Sequence, residues 1–253
     1  MPMDKLPIWS PVTTGYRDAL NAAATLRVLA VYAVLIVVLI NAVGFMLPRQ
    51  ETGDVALSTI LGLVVSAVQN FFLTPIMIAV HRFILLDEVM PRYVLEPQRP
   101  VFRAFFGWLM ALSALTLLTS ALTSIAELPA VTLAALFLAG TIFMIVVTTH
   151  LAILFPAIAV EAPGAGGAHA LANAWADSRG HTWRIFLIFL LASLPVVAVT
   201  FLIFVAIGFD AQNIGPSLVI AVLVSSIVQA FFFFLFIAIA SRLFQALADR
   251  LIH

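Results

Sequence analysis

Six long stretches of this sequence contain no Asp, Glu, Lys or Arg. An α-helix rises about 1.5 Å per residue, so about 20 consecutive apolar residues are needed to cross a hydrocarbon core about 30 Å thick. Each stretch is long enough to do so. The sequence therefore predicts an all-α membrane protein with six transmembrane helices. The charges that bound the stretches are Arg27 and Arg49, Asp54 and Arg82, Arg103 and Glu127, Glu127 and Glu161, Arg184 and Asp210, and Asp210 and Arg242.

The composition excludes several classes of site. Of 253 residues, 64% are hydrophobic and 9% are charged, whereas a soluble domain has about 25% charged residues. The formal net charge is zero, so the chain has no overall basic field that would attract nucleic acid. Cysteine is absent, which rules out disulfides, thiolate metal sites and cysteine nucleophiles. We expect no cofactor, no bound metal and no nucleic-acid partner.

The basic residues are distributed unevenly across the six predicted spans. With both ends of the chain on one side, eleven of the twelve fall on that side and only Arg49 falls on the other. Positive charge near short loops is retained in the cytoplasm, so we expect both termini inside. All basic residues except Lys5 are Arg, a bias typical of GC-rich bacteria, so we expect a multi-pass protein of the bacterial inner (cytoplasmic) membrane. The first apolar stretch begins only after Arg27 and lacks a small-residue cleavage site, so we expect no cleavable signal peptide.

A short pattern recurs at the entry to the first, third and fifth predicted spans. The entries read TLRVL at 25–29, VFRAF at 101–105 and TWRIF at 182–186. The return helices of the first and third hairpins also match, as SAVQNFF at 66–72 and SIVQAFF at 226–232, each with an Arg thirteen residues after its Gln. Self-similarity of this kind predicts that the six helices form three hairpin repeats.

Two of the three hairpins are preceded by short amphipathic segments. Residues 14–24 and 168–179 place polar and apolar side chains on different helical faces, so we expect short in-plane helices in the headgroup layer on the cytoplasmic side. Residues 87–100 contain three prolines, which predicts an irregular crossover instead. The chain then forms one membrane domain, 1–253, with hairpins at 12–88, 100–161 and 166–253, the first and third including their in-plane helices.

Four polar residues fall at one depth in the predicted spans. Each lies thirteen or fourteen residues from the arginine at the cytoplasmic end of its span, which places it about 20 Å into the core. Either these side chains hydrogen-bond between helices or they line a substrate path, and bonding between helices is the favoured interpretation. It predicts that replacing either Gln with Leu lowers stability in detergent. The four residues are Asn41, Gln69, Thr116 and Gln229.

His150 is the only titratable residue deep within a predicted span. An ionisable residue there is a functional candidate, yet no Asp, Glu, Cys or second His lies at comparable depth to complete a proton relay or a metal site. A neutral histidine that hydrogen-bonds between helices is therefore the favoured interpretation. No phosphate-binding loop, nucleophile elbow or zinc-protease motif is present, so we assign no catalytic residue.

The entry pattern also supplies interfacial anchors. Arg27, Arg103 and Arg184 stand at the cytoplasmic ends of their predicted spans, and Trp183 precedes the last of them. Long basic side chains extend their charged ends to the headgroups, and tryptophan settles at the same depth. We therefore expect these four residues to hold the span entries at the membrane surface.

Part of the second half resembles a known family. It reads FPAI at 155–158 and ALANAWADSRGHTWRIF at 170–186. Both pieces resemble bacterial six-span proteins related to the membrane domain of glycerophosphoryl diester phosphodiesterases, in which a Pro ends one span and an in-plane helix leads into the next. The resemblance implies a six-span fold and a bacterial inner membrane. The sequence contains no phosphodiesterase catalytic domain, so the resemblance does not imply that family's hydrolysis.

Three functions from different classes remain open. The favoured one is a non-enzymatic helical bundle that binds membrane lipids, with a cytoplasmic or membrane protein as a further candidate partner. The alternative is the membrane-spanning subunit of a transporter driven by a separate ATPase, because six spans, cytoplasmic termini and an N-terminal in-plane helix resemble exporter-type ABC permeases. The third is an enzyme that acts on lipid headgroups through His150, His169 or His181.

Overall fold

The computed structural model describes residues 6–46, 55–124, 129–206 and 216–252. Within these ranges the regular structure is helical, with two 3-10 turns, Pro163–Ala165 and Gly167–His169, between the sixth and seventh α-helices. The α-helices are α1 (Trp9–Thr25), α2 (Arg27–Met46), α3 (Val55–Leu86), α4 (Pro100–Ser124), α5 (Ala130–Leu151), α6 (Leu154–Ala159), α7 (Ala170–Ser178), α8 (Thr182–Ala206) and α9 (Pro216–Leu247).

In the described part of the chain, six helical segments are long and apolar enough to cross a membrane. Five of them are α2, α3, α4, α8 and α9. The sixth is the continuous segment formed by α5 and α6. Large apolar side chains such as Leu39, Phe137 and Phe201 are exposed on their outer faces, where a soluble protein would carry polar residues. The protein is an all-α, multi-pass membrane protein, which confirms the predicted fold class.

The six spans form a ring in which each return helix packs against the first helix of the next hairpin. The order around the ring is α2, α3, α4, α5, α8 and α9, and α9 closes on α2; α3 and α9 also pack against each other. Arg27, Arg103 and Arg184 lie near the beginnings of α2, α4 and α8, and Arg82 and Arg242 lie near the ends of α3 and α9. We call this end of the bundle the arginine-rich side.

Helix α1 packs against α8 and α9 through a face of small residues. Gly15, Ala19 and Ala22 are buried on this face, while Arg17 and Asn21 are exposed on the opposite one. Small side chains let two helix backbones approach closely, so α1 lies directly on the ring. The sequence predicts a helix at 14–24, and α1 extends it by about one turn towards the N-terminus. The second amphipathic helix, predicted at 168–179, corresponds to α7.

The connection between α3 and α4 contains no regular helix, as its prolines predict. Asp87 ends α3 in the left-handed conformation, with φ of 54°. The connection then runs back along the bundle, where the Tyr93 hydroxyl donates to the Phe72 carbonyl at 3.0 Å. The Tyr93 ring also contacts Tyr32 of α2, with 5.3 Å between ring centroids. This connection is therefore packed against the spans, and we call residues 87–99 the crossover.

Pro156 interrupts the fourth span near its arginine-rich end. Helix α5 ends at Leu151 and α6 begins at Leu154, because Pro156 has no N–H to donate to the carbonyl of Ala152 four residues earlier. The short helix α6 then turns inwards and packs against α3, α4 and α9, with Leu154 and Ala157 fully buried.

Candidate functional site

The polar residues predicted at one depth do not form a single cluster. Asn41 of α2 donates to Ser226 Oγ at 3.0 Å and to Gln229 Oε1 at 3.4 Å, both on α9. Thr116 is exposed and donates to the carbonyl of Leu112 in its own helix at 2.9 Å. The structure therefore places Asn41 and Gln229 in contact, adds Ser226 to the same cluster, and leaves Thr116 exposed.

The amide that joins α3 to α4 is Asn70, the residue after Gln69. Asn70 Nδ2 donates to Ser113 Oγ at 2.9 Å. Gln69 is half-buried, and no side-chain hydrogen bond of Gln69 occurs among the described residues. Depth in the membrane indicated the correct turn of α3, but no signal in the sequence distinguishes the two neighbouring amides.

His150 is buried at the end of α5 in a network with α7 and α8. Ser178 Oγ donates to the carbonyl of Ala174 at 2.7 Å, so the serine oxygen accepts from His150 Nδ1 at 2.5 Å. The hydroxyl of Thr182 lies 3.2 Å from His150 Nε2 and donates to it, and the Trp175 ring stacks on the imidazole with centroids 3.9 Å apart. Both ring nitrogens are used, which supports a packing role for His150 rather than a catalytic one.

The four predicted anchors differ in their surroundings. Arg27 and Arg103 are exposed, as expected of side chains that extend to headgroups. Trp183 is 66% exposed and packs on Phe186. Arg184 instead donates to the backbone carbonyl of Leu6 at 2.9 Å, so it also fixes the segment before α1.

Two polar side chains of the segment that resembles the phosphodiesterase membrane domains, together with the backbone of Gly164, hold the C-terminal turn. The carboxylate of Asp177 accepts from the backbone amides of Asp249, Arg250 and Leu251 at 3.1, 3.1 and 3.0 Å. Asn173 donates to the carbonyl of Gly164 at 3.0 Å, and the Gly164 amide donates to the Leu251 carbonyl at 3.0 Å. The side chains of Asn173 and Asp177 therefore have hydrogen-bond partners within the protein. A structural role explains why polar residues occur at these positions of the segment.

An apolar cavity lies between α3, α4, α5, α8 and α9. It has a volume of about 440 Å³ and is close to the arginine-rich side. Its lining is dominated by phenylalanine, and its polar groups are His81, Thr148 and Thr149. Two lining residues, Thr148 and Phe236, are exposed, so the cavity is open to the surface beside them. The phenylalanines are Phe105, Phe155, Phe186, Phe189 and Phe236.

The cavity has binding chemistry and no evident catalytic chemistry. No carboxylate, lysine or arginine lines it, so no acid and base pair is available there. Throughout the described ranges, no group of three or more His, Asp or Glu side chains could hold a metal ion. Sequence reasoning missed His81 as a site residue because its neighbour Arg82 placed it at the membrane surface, and no local pattern marks it.

A second, polar cleft of about 750 Å³ lies beside the crossover. Arg82 occupies one wall, where it binds Glu88 through two hydrogen bonds of 2.7 and 3.0 Å and the Ala159 carbonyl at 3.0 Å. Glu161 lies 3.4 Å from the same guanidinium. The hydrogen bond from Arg82 lowers the pKa of Glu88 below its usual range. Arg82 is thus paired with its own neighbours, and Arg99 in the same cleft is paired with Glu96.

No family model, characterised protein or solved structure matches this chain. The resemblance of residues 155–186 to the phosphodiesterase membrane domains therefore stays a prediction. The function has to be inferred from the cavity itself.

Proposed function

We propose that this protein is a non-enzymatic lipid-binding protein that holds a hydrocarbon chain in the cavity between α3, α4, α5, α8 and α9. The observation that supports the proposal is the cavity, whose lining combines many apolar side chains with three polar ones. Its volume of about 440 Å³ lies within the range of about 300–1,000 Å³ that is typical of small-molecule sites.

The size of the cavity suits one chain rather than a whole phospholipid. At roughly 30 Å³ for each water-sized group, the cavity accommodates on the order of fifteen such groups, which is comparable to one acyl chain. An empty apolar cavity loses dispersion contacts along its whole lining. Filling it with a chain restores them, and the five phenylalanine rings provide the contact surface.

The hydrophobic effect does not by itself drive a lipid into this cavity. A chain that leaves the bilayer for the cavity moves from one apolar medium to another, so it gains no hydrophobic free energy. Selection must then come from the fit of the chain to the lining and from the few polar groups. The openings at Thr148 and Phe236 give a lateral route from the bilayer that avoids water.

We further propose that the arginine-rich side faces the cytoplasm of a bacterial cell, with both termini inside and membrane lipids as partners. The excess of basic residues on that side supports this orientation through the positive-inside rule. The cavity would then accept lipid from the cytoplasmic leaflet of the inner membrane.

The test is to identify the lipids that co-purify with the protein in native-lipid nanodiscs. Ala240 lines the cavity and is 7% exposed, so Ala240→Phe should occupy the space of the chain. Ala246 lies on the same helix and is exposed, which makes Ala246→Phe the matched control. Native mass spectrometry should show enriched lipid on the parent and on Ala246→Phe, and little on Ala240→Phe.

Two results would contradict the proposal. If the parent and Ala240→Phe carry the same lipids in equal amount, the cavity does not hold them. If a stoichiometric ATPase co-purifies instead of an enriched lipid, the protein is the membrane subunit of a transporter.

A further inference from the structure

The polar end of the cavity is formed by His81, whose two ring nitrogens have different surroundings. The side chain is 1% exposed, and its Nδ1 lies 2.8 Å from the hydroxyl oxygen of Ser241 on α9. That hydroxyl donates to the carbonyl of Ile237 at 2.9 Å. Because a serine hydroxyl has one hydrogen to donate, its oxygen accepts from the imidazole, and the geometry assigns the proton to Nδ1.

The second nitrogen, Nε2, is an acceptor that faces the cavity. No carboxylate lines the cavity, and an unpaired buried charge is costly, so the imidazole is neutral and Nε2 carries a lone pair. Among the described residues Nε2 has no hydrogen-bond partner. Ser241 does not line the cavity whereas His81 does, so the ring edge opposite Nδ1 is the edge that borders it.

The two threonines in the lining have also used their donors. Thr148 donates to the carbonyl of Met144 at 2.7 Å, and Thr149 donates to the carbonyl of Val146 at 2.9 Å. Each hydroxyl oxygen therefore keeps only acceptor capacity towards the cavity. All three polar groups of the lining thus offer acceptors.

We propose that the ligand of this cavity is a neutral, long-chain amphiphile whose polar group is a hydrogen-bond donor, such as a fatty alcohol or another hydroxyl-bearing lipid. This inference rests on the proposed lipid-binding function. An anionic headgroup does not fit, because its oxygens would face three acceptors and no cation. The nearest arginine in sequence, Arg82, directs its guanidinium to Glu88 and Glu161.

The test compares 1-dodecanol with dodecyl methyl ether, which has the same chain and an ether oxygen but no donor. Both are added at equal mole fraction to nanodiscs containing the parent protein, and bound copies are counted together by native mass spectrometry, with Ala240→Phe as the background. We expect the alcohol to be preferred by about threefold to tenfold, the effect of one net hydrogen bond. In His81→Phe, which keeps a ring and removes the imidazole acceptor but leaves the two threonine oxygens, the preference should fall, whereas Ala246→Phe should retain it in full.

The outcomes separate this inference from the one on which it rests. If alcohol and ether bind equally above background in the parent, the cavity holds chains but does not select a donor, and the inference is wrong. If neither binds above background, lipid binding in the cavity fails and the inference fails with it. The comparison is made in the parent protein, so it remains decisive even if His81→Phe does not fold.

Discussion

Replacing Gly15 with alanine tests the close packing of α1 on α9. Gly15 faces Ile239, and a β-carbon added at Gly15 would lie 2.6 Å from Ile239 Cγ1. Ile239 is fully buried, and a β-branched side chain in a helix has one strongly preferred rotamer. The isoleucine therefore cannot turn aside at low cost, and we expect α1 to be displaced and the free energy of unfolding to fall.

Two opposing effects set the size of the change. Replacing glycine by alanine inside a helix stabilises the helix by about 0.5–1 kcal/mol, whereas overpacking a well-packed site costs about 1–3 kcal/mol. Gly107 of α4 is the matched control, because an added β-carbon there meets nothing within 4 Å. Gly107→Ala should show only the gain, so the difference between the two variants isolates the clash at about 1–3 kcal/mol.

The assay is equilibrium unfolding in mixed micelles with increasing SDS mole fraction, followed by circular dichroism. Ile239→Ala removes Cγ1, so in that background Gly15→Ala should cost nothing, and the double-mutant cycle should give a coupling as large as the clash. If Gly15→Ala is as stable as Gly107→Ala, or if its cost persists with Ile239→Ala, the close approach of α1 and α9 is refuted.

Two further predictions concern the crossover and the contact between α3 and α4. Because Arg82 lowers the pKa of Glu88, their contact is complete above the ordinary Glu pKa of about 4.3 and is lost as pH falls through the lowered pKa. Amide protection factors in the crossover, which are corrected for the intrinsic pH dependence of exchange, should therefore fall on acidification, and Glu88→Gln should be less protected at neutral pH and respond less to acid. A full acid response in Glu88→Gln would contradict this. Asn70→Leu should lower the free energy of unfolding by about 0.6 kcal/mol, up to about 1.7, by removing the bond to Ser113, whereas Gln69→Leu should change it little; equal losses would show that Gln69 also bonds between helices.

The sequence alone determined the spans and the irregular crossover, because both depend on local properties. A charge-free apolar stretch of sufficient length is helical in the bilayer wherever it occurs, since its backbone groups must bond within the segment. Pro91 and Pro97 lie between α3 and α4, and Pro100 is the first residue of α4, so the prolines exclude a regular helix in this connection for a reason that is equally local. The apolar face and the exposed Arg17 and Asn21 of α1 could likewise be predicted from helical periodicity.

The partners of the polar side chains were decided by helix rotation, which the sequence does not supply. Neighbouring residues of a helix point about 100° apart, so Gln69 and Asn70 lie at almost the same depth and face different surroundings. The depth of Gln69 in the span predicted a polar contact in this turn of α3. Packing against α4 places Asn70, rather than Gln69, in that contact. The same rotation turned Thr116 outwards.

The cavity and its histidine depend only on the tertiary structure. His81 and His150 each bond a serine through Nδ1, so their local chemistry is alike. They differ in what their second nitrogen meets, which is Thr182 for His150 and the cavity for His81. His81 and Ser241 are 160 residues apart in sequence, and the space beside them exists because five helices fail to close against one another. A gap of this kind is a property of how distant surfaces pack, so no local pattern of residues can encode it.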